Sequence, residues 1–213
     1  MSLYGLILGI SFVIGLDYFQ KHEKKLDKKS KLQYQVLIIV LGLIGARIYF
    51  VLFNLDYYLN NRTEIFNTRA GGIGIFGGLI FDILFTFIFL KFKKINFLNF
   101  TDQFITIMPL CQSIGRWGNY FNHEIYSANG QPVWLYESIL NLILFFILLK
   151  SKKNQTASYL IGYGVIRLFT EFFRNDVWII NNFKIGQLIS IIFILFGILI
   201  HYTTSYKRYK IGS

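Results

Sequence analysis

Gln35-Val36-Leu37-Ile38-Ile39-Val40-Leu41-Gly42-Leu43-Ile44-Gly45-Ala46-Arg47-Ile48-Tyr49-Phe50-Val51-Leu52-Phe53-Asn54-Leu55 holds twenty-one residues and one charged side chain, Arg47. As a helix it rises about 31 Å, which matches the hydrocarbon thickness of a bilayer. The segment before it, Gln20–Leu32, holds Lys21, Lys24, Lys25, Lys28, Lys29 and Lys31. A long apolar run beside a lysine-rich loop is the signature of a membrane span with its basic flank in the cytoplasm.

Six more runs share this character: Leu3–Phe19, Ile73–Leu90, Phe104–Ile114 continuing toward Phe121, Val133–Leu149, Tyr159–Phe173 and Gly186–Thr203. The first, fourth and sixth runs are short and admit tilt, partial re-entry or extension by flanking residues. The chain has 213 residues, is 54% hydrophobic and 19% aromatic, and has a mean hydropathy of +0.47, too apolar for an ordinary soluble domain. The expected fold is all-α: one polytopic transmembrane domain over residues 1–213, with about seven helices and no internal repeat.

Loop charges set the orientation. If seven spans alternate, the six lysines of the first loop share a side with Lys91, Lys93, Lys94, Lys150, Lys152, Lys153 and the tail residues Lys207, Arg208 and Lys210. The opposite side holds Arg62, Arg69, Arg116, Arg174 and Lys184, while Arg47 and Arg167 lie within spans. The positive-inside rule then puts the N-terminus outside and the C-terminus in the cytoplasm. The first run has no basic segment before it and no small-residue cleavage site after it, so it reads as an uncleaved span. The formal charge of +11 is accounted for by these loops, and nucleic acid is not an expected partner.

This topology gathers polar sequence at the outer surface: Arg69-Ala70-Gly71-Gly72, Phe172-Phe173-Arg174 and, above all, Gly115-Arg116-Trp117-Gly118-Asn119-Tyr120-Phe121-Asn122-His123-Glu124. Arg116, Asn119 and Asn122 are spaced by three, so a helix makes them neighbours. A guanidinium fork suits phosphate, and Asn amides add donors for phosphate or glycerol oxygens. The plainer reading of Arg116 is an arginine snorkelling to lipid phosphates. Arg167 and Glu171 stand at i and i+4 inside a span, either as a structural ion pair or as an anion-binding arginine held by a carboxylate.

The stretch from Gly71 to Ile80 is dense in glycine, which permits close approach of a helix or of a ligand. Asp82 and Glu137 are further acids in apolar surroundings, either of which can be a satisfied interior group. Cys111, the single cysteine, lies in an apolar run and reads as a small buried hydrophobe. His22, His123 and His201 are scattered without metal-ligand spacing, and no Walker loop occurs, so neither a metal nor a cofactor is expected.

These motifs agree with one family. The chain resembles prolipoprotein diacylglyceryl transferase in Tyr4-Gly5, Gly45-Ala46-Arg47-Ile48-Tyr49 with Phe53-Asn54, Gly71-Gly72 through Gly77-Gly78-Leu79-Ile80, and Asp102. The likeness continues through Gly115-Arg116-x-Gly118-Asn119-x-x-Asn122-x-Glu124, Pro132 with Leu135-Tyr136-Glu137, Tyr163-Gly164-x-x-Arg167 with Glu171-Phe172-Phe173-Arg174, and Gly186-Gln187-x-x-Ser190.

The resemblance implies a bacterial cell-membrane enzyme with seven spans. It implies transfer of diacylglyceryl from phosphatidylglycerol to the lipobox cysteine thiol of a preprolipoprotein, with release of glycerol 1-phosphate. It implies catalytic roles for Arg116, Glu124, Arg167 and Glu171, and substrate contacts for Tyr4, Arg116, Asn119, Asn122, Arg167, Gly77 and Gly78.

The chain departs from the family at Phe76, where many members carry histidine, and at Gln131 and Trp134, which replace the usual His and Gln. Only Ile125 to Gly130 separate the signature from the next motif, where most members have a long exposed insert. A non-catalytic lipid- or peptide-binding relative is the alternative reading. A transporter is a third, disfavoured because the polar residues gather at one leaflet instead of the midplane.

Overall fold

The computed structural model describes residues 3–67, 71–151, 154–175, 177, 179–181 and 183–211. Arg69, Ala70, Lys152 and Lys153 lie outside the described residues, as do the side chains of Lys207, Arg208 and Lys210 and the end of the tail at 212–213.

The described residues are mainly helical: α1 (Leu3–His22), α2 (Lys28–Phe53), α3 (Leu55–Asn60), α4 (Ile75–Phe92), α5 (Phe97–Thr101), α6 (Met108–Phe121), α7 (Val133–Lys150), α8 (Gln155–Glu171) and α9 (Ile185–Ile211). A two-residue hairpin, β1 (Ile179–Ile180) and β2 (Phe183–Lys184), precedes α9. Among the described residues five helices have the length and composition to cross a membrane: α1, α2, α4, α7 and α9. The other two long helices differ for a physical reason. α6 has only 14 residues and turns polar after Cys111, and α8 has 17 and carries Arg167 and Glu171 at one end. Large side chains such as Leu84, Phe87, Ile192 and Leu195 stay exposed on the outer faces, as a lipid-facing surface requires.

Local chemistry fixes the helix starts. Asp27 caps α2 by accepting from the Ser30 amide at 3.3 Å. Those hydrogen bonds to Ser30 hold the Asp27 carboxyl below its ordinary range. Pro109 sits in the first turn of α6, where its missing N–H costs nothing. Asp102 receives both the amide and the hydroxyl of Thr156, at 2.7 and 2.6 Å, and so places a carboxylate at the positive end of α8.

By their contacts the residues form two units. The unit Lys24–Phe100 is built on α2 packed against α4. Gly77 lies directly on α2: an added methyl group there would overlap Tyr49 Cβ and the Gly45 carbonyl. Gly78 sits 3.0 Å (as a virtual Cβ) from the Gly42 carbonyl, so helix packing occupies both positions. Replacing Gly77 with alanine should force the two helices apart and destabilise the protein by about 2 kcal/mol or more. Thermal unfolding in detergent micelles measures this, and an unchanged midpoint would refute it.

Arg47 closes the same unit. Its five N–H groups all reach backbone carbonyls: Nε to Ile65 at 2.8 Å, Nη1 to Gly71 and Gly72 at 3.2 and 2.8 Å, and Nη2 to Glu64 and Asn67 at 2.6 and 3.0 Å. Its guanidinium also lies over the Tyr58 ring. With its donors engaged in this way, Arg47 tethers the segment before α4 and does not offer a fork to a ligand.

The other unit, Met1–Glu23 with Thr101–Ser213, packs α1 on α6, α6 on α7, α7 on α8 and α8 on α9. Ser11 Oγ donates to the Cys111 carbonyl at 2.7 Å, and the Cys111 thiol returns a bond to the Ser11 carbonyl at 3.3 Å. Ser138 donates to the Ser113 carbonyl at 3.0 Å between α6 and α7. Leu144, Leu148, Tyr159 and Ile166 form the core of the α7–α8 contact.

Candidate functional site

Glu137 is the fifth residue of α7, and only 1% of its side chain is exposed. Within its own helix it has no basic neighbour at i±3 or i±4, so its charge must be met from elsewhere. Three arginines on other segments meet it. Arg116 Nε, from α6, pairs with Oε2. Arg167 Nη1, from α8, pairs with Oε1 at 2.7 Å, and Arg174, just past α8, brings Nη1 to 3.7 Å of the same oxygen. Thr170 adds a hydroxyl donor to Oε1 at 3.0 Å. Arg167 turns its other terminal nitrogen to Glu171 Oε2 at 2.8 Å, and Glu171 is 2% exposed.

A third carboxylate, Glu124, is linked to Arg116 through Asn119. Arg116 Nη1 donates to Asn119 Oδ1 at 3.3 Å, and Asn119 Nδ2 donates to Glu124 Oε2 at 2.7 Å. Asn122 Nδ2 donates to Glu124 Oε1 at 3.1 Å. Glu124 reaches back because the chain reverses at His123 and Ile125, whose φ angles are 55° and 64°. For a β-branched residue such as Ile125 the left-handed region costs about 1 kcal/mol or more, and such strain concentrates at functional sites. Packing holds the reversal. Ile125 is buried against Val133 and Trp134, and its carbonyl accepts from the Trp134 amide at 3.1 Å. The short connection Ile125–Gly130 is therefore a closed turn that fixes Glu124.

The sequence-predicted residues Arg116, Asn119, Asn122, Glu124, Arg167 and Glu171 thus form one network, and the Tyr4 ring lies over Gly118 beside it. Gly77 and Gly78 belong to the other unit. Sequence reasoning left Glu137 and Arg174 outside the list. The available signal was an acid in an apolar helix with no local counter-charge.

Three guanidinium groups against the two buried carboxylates leave one net positive charge. Burial, and next Arg167 beside it, push the Arg174 guanidinium below its ordinary pKa. Arg116, Arg167 and Arg174 remain 21%, 19% and 13% exposed, so an anion can reach them. An apolar groove of about 420 Å³ runs between α7 and α8, lined by Gln131, Tyr136, Ile139, Leu140, Phe169 and Phe173. The groove lies at the N-terminal end of α7 and the C-terminal end of α8, the same helix ends that carry Glu137 and Arg167.

The cluster also fixes the sense of this unit. It joins the C-terminal ends of α6 and α8 to the N-terminal end of α7, with Tyr4 of α1 and Gly186 of α9 against the same cluster. Lys21 and Lys150 lie at the opposite ends of α1 and α7.

A family model described as prolipoprotein diacylglyceryl transferase matches residues 1–203. The chain belongs to the prolipoprotein diacylglyceryl transferase family. Proteins named phosphatidylglycerol–prolipoprotein diacylglyceryl transferase are similar along nearly the whole chain. The one from Clostridioides difficile strain 630 is 36% identical, over 96% of this chain and 91% of its own length. That of Finegoldia magna is 32% identical over 99% and 93%, and that of Streptococcus pneumoniae TIGR4 33% over 92% and 86%. The fold brings together Arg116, Asn119, Asn122 and Glu124 with Glu137, Arg167 and Glu171, residues of the motifs that carry the resemblance to the family.

Proposed function

We propose that this chain transfers diacylglyceryl from phosphatidylglycerol to the lipobox cysteine of a preprolipoprotein at the outer leaflet of a cell membrane. It does so as a seven-span protein with its N-terminus outside. The observation that carries the reading is the three-arginine cluster on Glu137, with net positive charge and an apolar groove at the same ends of α7 and α8. A lipid with an anionic headgroup needs both features.

The reaction is a displacement at carbon. The cysteine sulfur forms a bond to the glycerol carbon that carries the phosphate, and the carbon–oxygen bond to phosphate breaks with its electron pair going to oxygen. Charge accumulates on the leaving phosphate, and preorganised guanidinium groups stabilise it. Arg116 and Arg174 face that charge, while Arg167 is divided between Glu137 and Glu171 and sets the spacing. Asn119, Asn122 and the Tyr4 hydroxyl orient the headgroup.

The thiol proton must also leave. Glu137 and Glu171 are neutralised by arginines, whereas Glu124 accepts only from amides and stays exposed. Glu124 therefore takes the proton or passes it to water. A free thiol with a pKa of about 8.5 is already a few per cent thiolate at neutral pH, so a weak base suffices.

The test is transfer of labelled diacylglyceryl from phosphatidylglycerol to a lipobox peptide by the purified protein. Phe76 motivates the second reading, a non-catalytic relative. If the wild-type protein is active, Phe76→His leaves the rate unchanged or raises it. Transfer by Phe76→His alone would establish the non-catalytic reading, and transfer by neither would remove the enzyme reading.

A further inference from the structure

Lys184, on β2, points its ammonium at the end of α8. It donates to the backbone carbonyls of Glu171 at 2.8 Å, Arg174 at 3.3 Å and Phe172 at 3.5 Å. The last carbonyls of a helix have no partner within it, and they form its negative end. Two of the earlier ones are met by chain amides, since Phe172 N–H reaches the Phe169 carbonyl and Phe173 N–H reaches the Thr170 carbonyl. The carbonyls beyond them receive the three protons of one ammonium group.

The placement of Lys184 is rigid for a local reason. The hairpin pairs Ile179 with Lys184 and Ile180 with Phe183, and α9 begins at the next residue. Gly186, the second residue of that helix, lies so close to Glu171 that an added methyl group would overlap the carboxylate. The start of α9 therefore fixes Lys184 on one side of Glu171 and closes over the side chain on the other. The backbone that Lys184 holds is the backbone that carries Arg174 to Glu137.

We infer that Lys184 is a positioning residue that clamps the end of α8 and keeps Arg174 on the Glu137 cluster. Without it the carbonyls of residues 171–174 seek water, the turn after α8 unwinds, and the cluster loses its third arginine. The consequence for turnover rests on the reading given under Proposed function; the clamp itself does not.

The direct test is arginine modification by phenylglyoxal on the full chain in detergent, read for each arginine by mass spectrometry. Lys184→Met removes all three donors while keeping an unbranched apolar stem. Arg174 should then react at least about tenfold faster, as a locally opened segment does, while Arg116 keeps its wild-type rate. An unchanged Arg174, or acceleration of Arg116, Arg167 and Arg174 together, overturns the clamp. If Lys184→Met does not fold, Lys184→Gln carries the same comparison.

The kinetic test uses phosphatidylglycerol and a lipobox peptide. Lys184→Met should lower kcat/KM about tenfold, the equivalent of one charge-assisted hydrogen bond, because Arg174 faces the charge that accumulates on the leaving phosphate. In an Arg174→Gln background the same change should add almost nothing, because both act through one contact. Equal effects in both backgrounds would show that Lys184 does not act through Arg174. If the wild-type protein transfers nothing, the enzyme reading falls and the modification rates still decide the clamp.

Discussion

Glu137→Gln should abolish detectable transfer and lower stability together. The carboxylate is buried and holds three guanidinium groups. An amide of the same shape keeps an acceptor for Thr170 but removes the charge, leaving three arginines to repel one another. Removing one partner from a buried ion-pair network costs about 3–5 kcal/mol, because the remaining charges stay uncompensated. The arginines would relax outward, and a shift of about 1 Å at a reacting group costs on the order of 100-fold in rate. Two measurements check this: the thermal midpoint in detergent and the rate of labelled diacylglyceryl transfer. Wild-type behaviour in both would mean that the arginines hold their positions without Glu137. Loss of stability with full turnover would make the cluster structural only.

Arg116→Ala should fold and insert but lose about 100- to 1000-fold in turnover, as when one charge-stabilising donor is removed from an active site. Arg116 is the arginine that joins both halves of the network, pairing with Glu137 through Nε and with Asn119 through Nη1. Arg116→Lys keeps the charge but cannot serve two partners from a planar fork, so it should remain at least about tenfold below wild type. A deficit shared equally by kcat and kcat/KM would place the contact in the transition state, and a rise in KM alone would place it in lipid binding. Normal turnover by the alanine variant would remove Arg116 from the mechanism and leave it as a structural partner of Glu137.

Arg47 and Arg167 show where a one-dimensional reading stops. Both are arginines within apolar runs, and sequence alone gives them the same standing. Arg47 spends its donors on the carbonyls of the segment 64–72, while Arg167 divides its fork between two buried carboxylates. The glycines diverge in the same way. Gly77 admits a neighbouring helix, and Gly186 admits the Glu171 carboxylate, although both stand in matching motifs.

Hydrophobic length and lysine placement determined by themselves that the chain is helical and membrane-embedded, because the cost of burying backbone and charge in lipid acts on each segment separately. The decapeptide Gly115–Glu124 likewise announced a concentration of polar groups, since its donors lie within one helical turn and the reversal that follows. Only the tertiary structure decided that Glu137 is the centre of a polar cluster, that Arg174 joins it and that Lys184 caps the carbonyls at the end of α8. Those contacts bridge α6, α7, α8 and the start of α9, with partners 21, 30 and 13 residues apart for Glu137 with Arg116, Glu137 with Arg167 and Lys184 with Glu171. Charge pairing across helices depends on which faces meet, and that is set by packing of the whole unit, which no local spacing encodes.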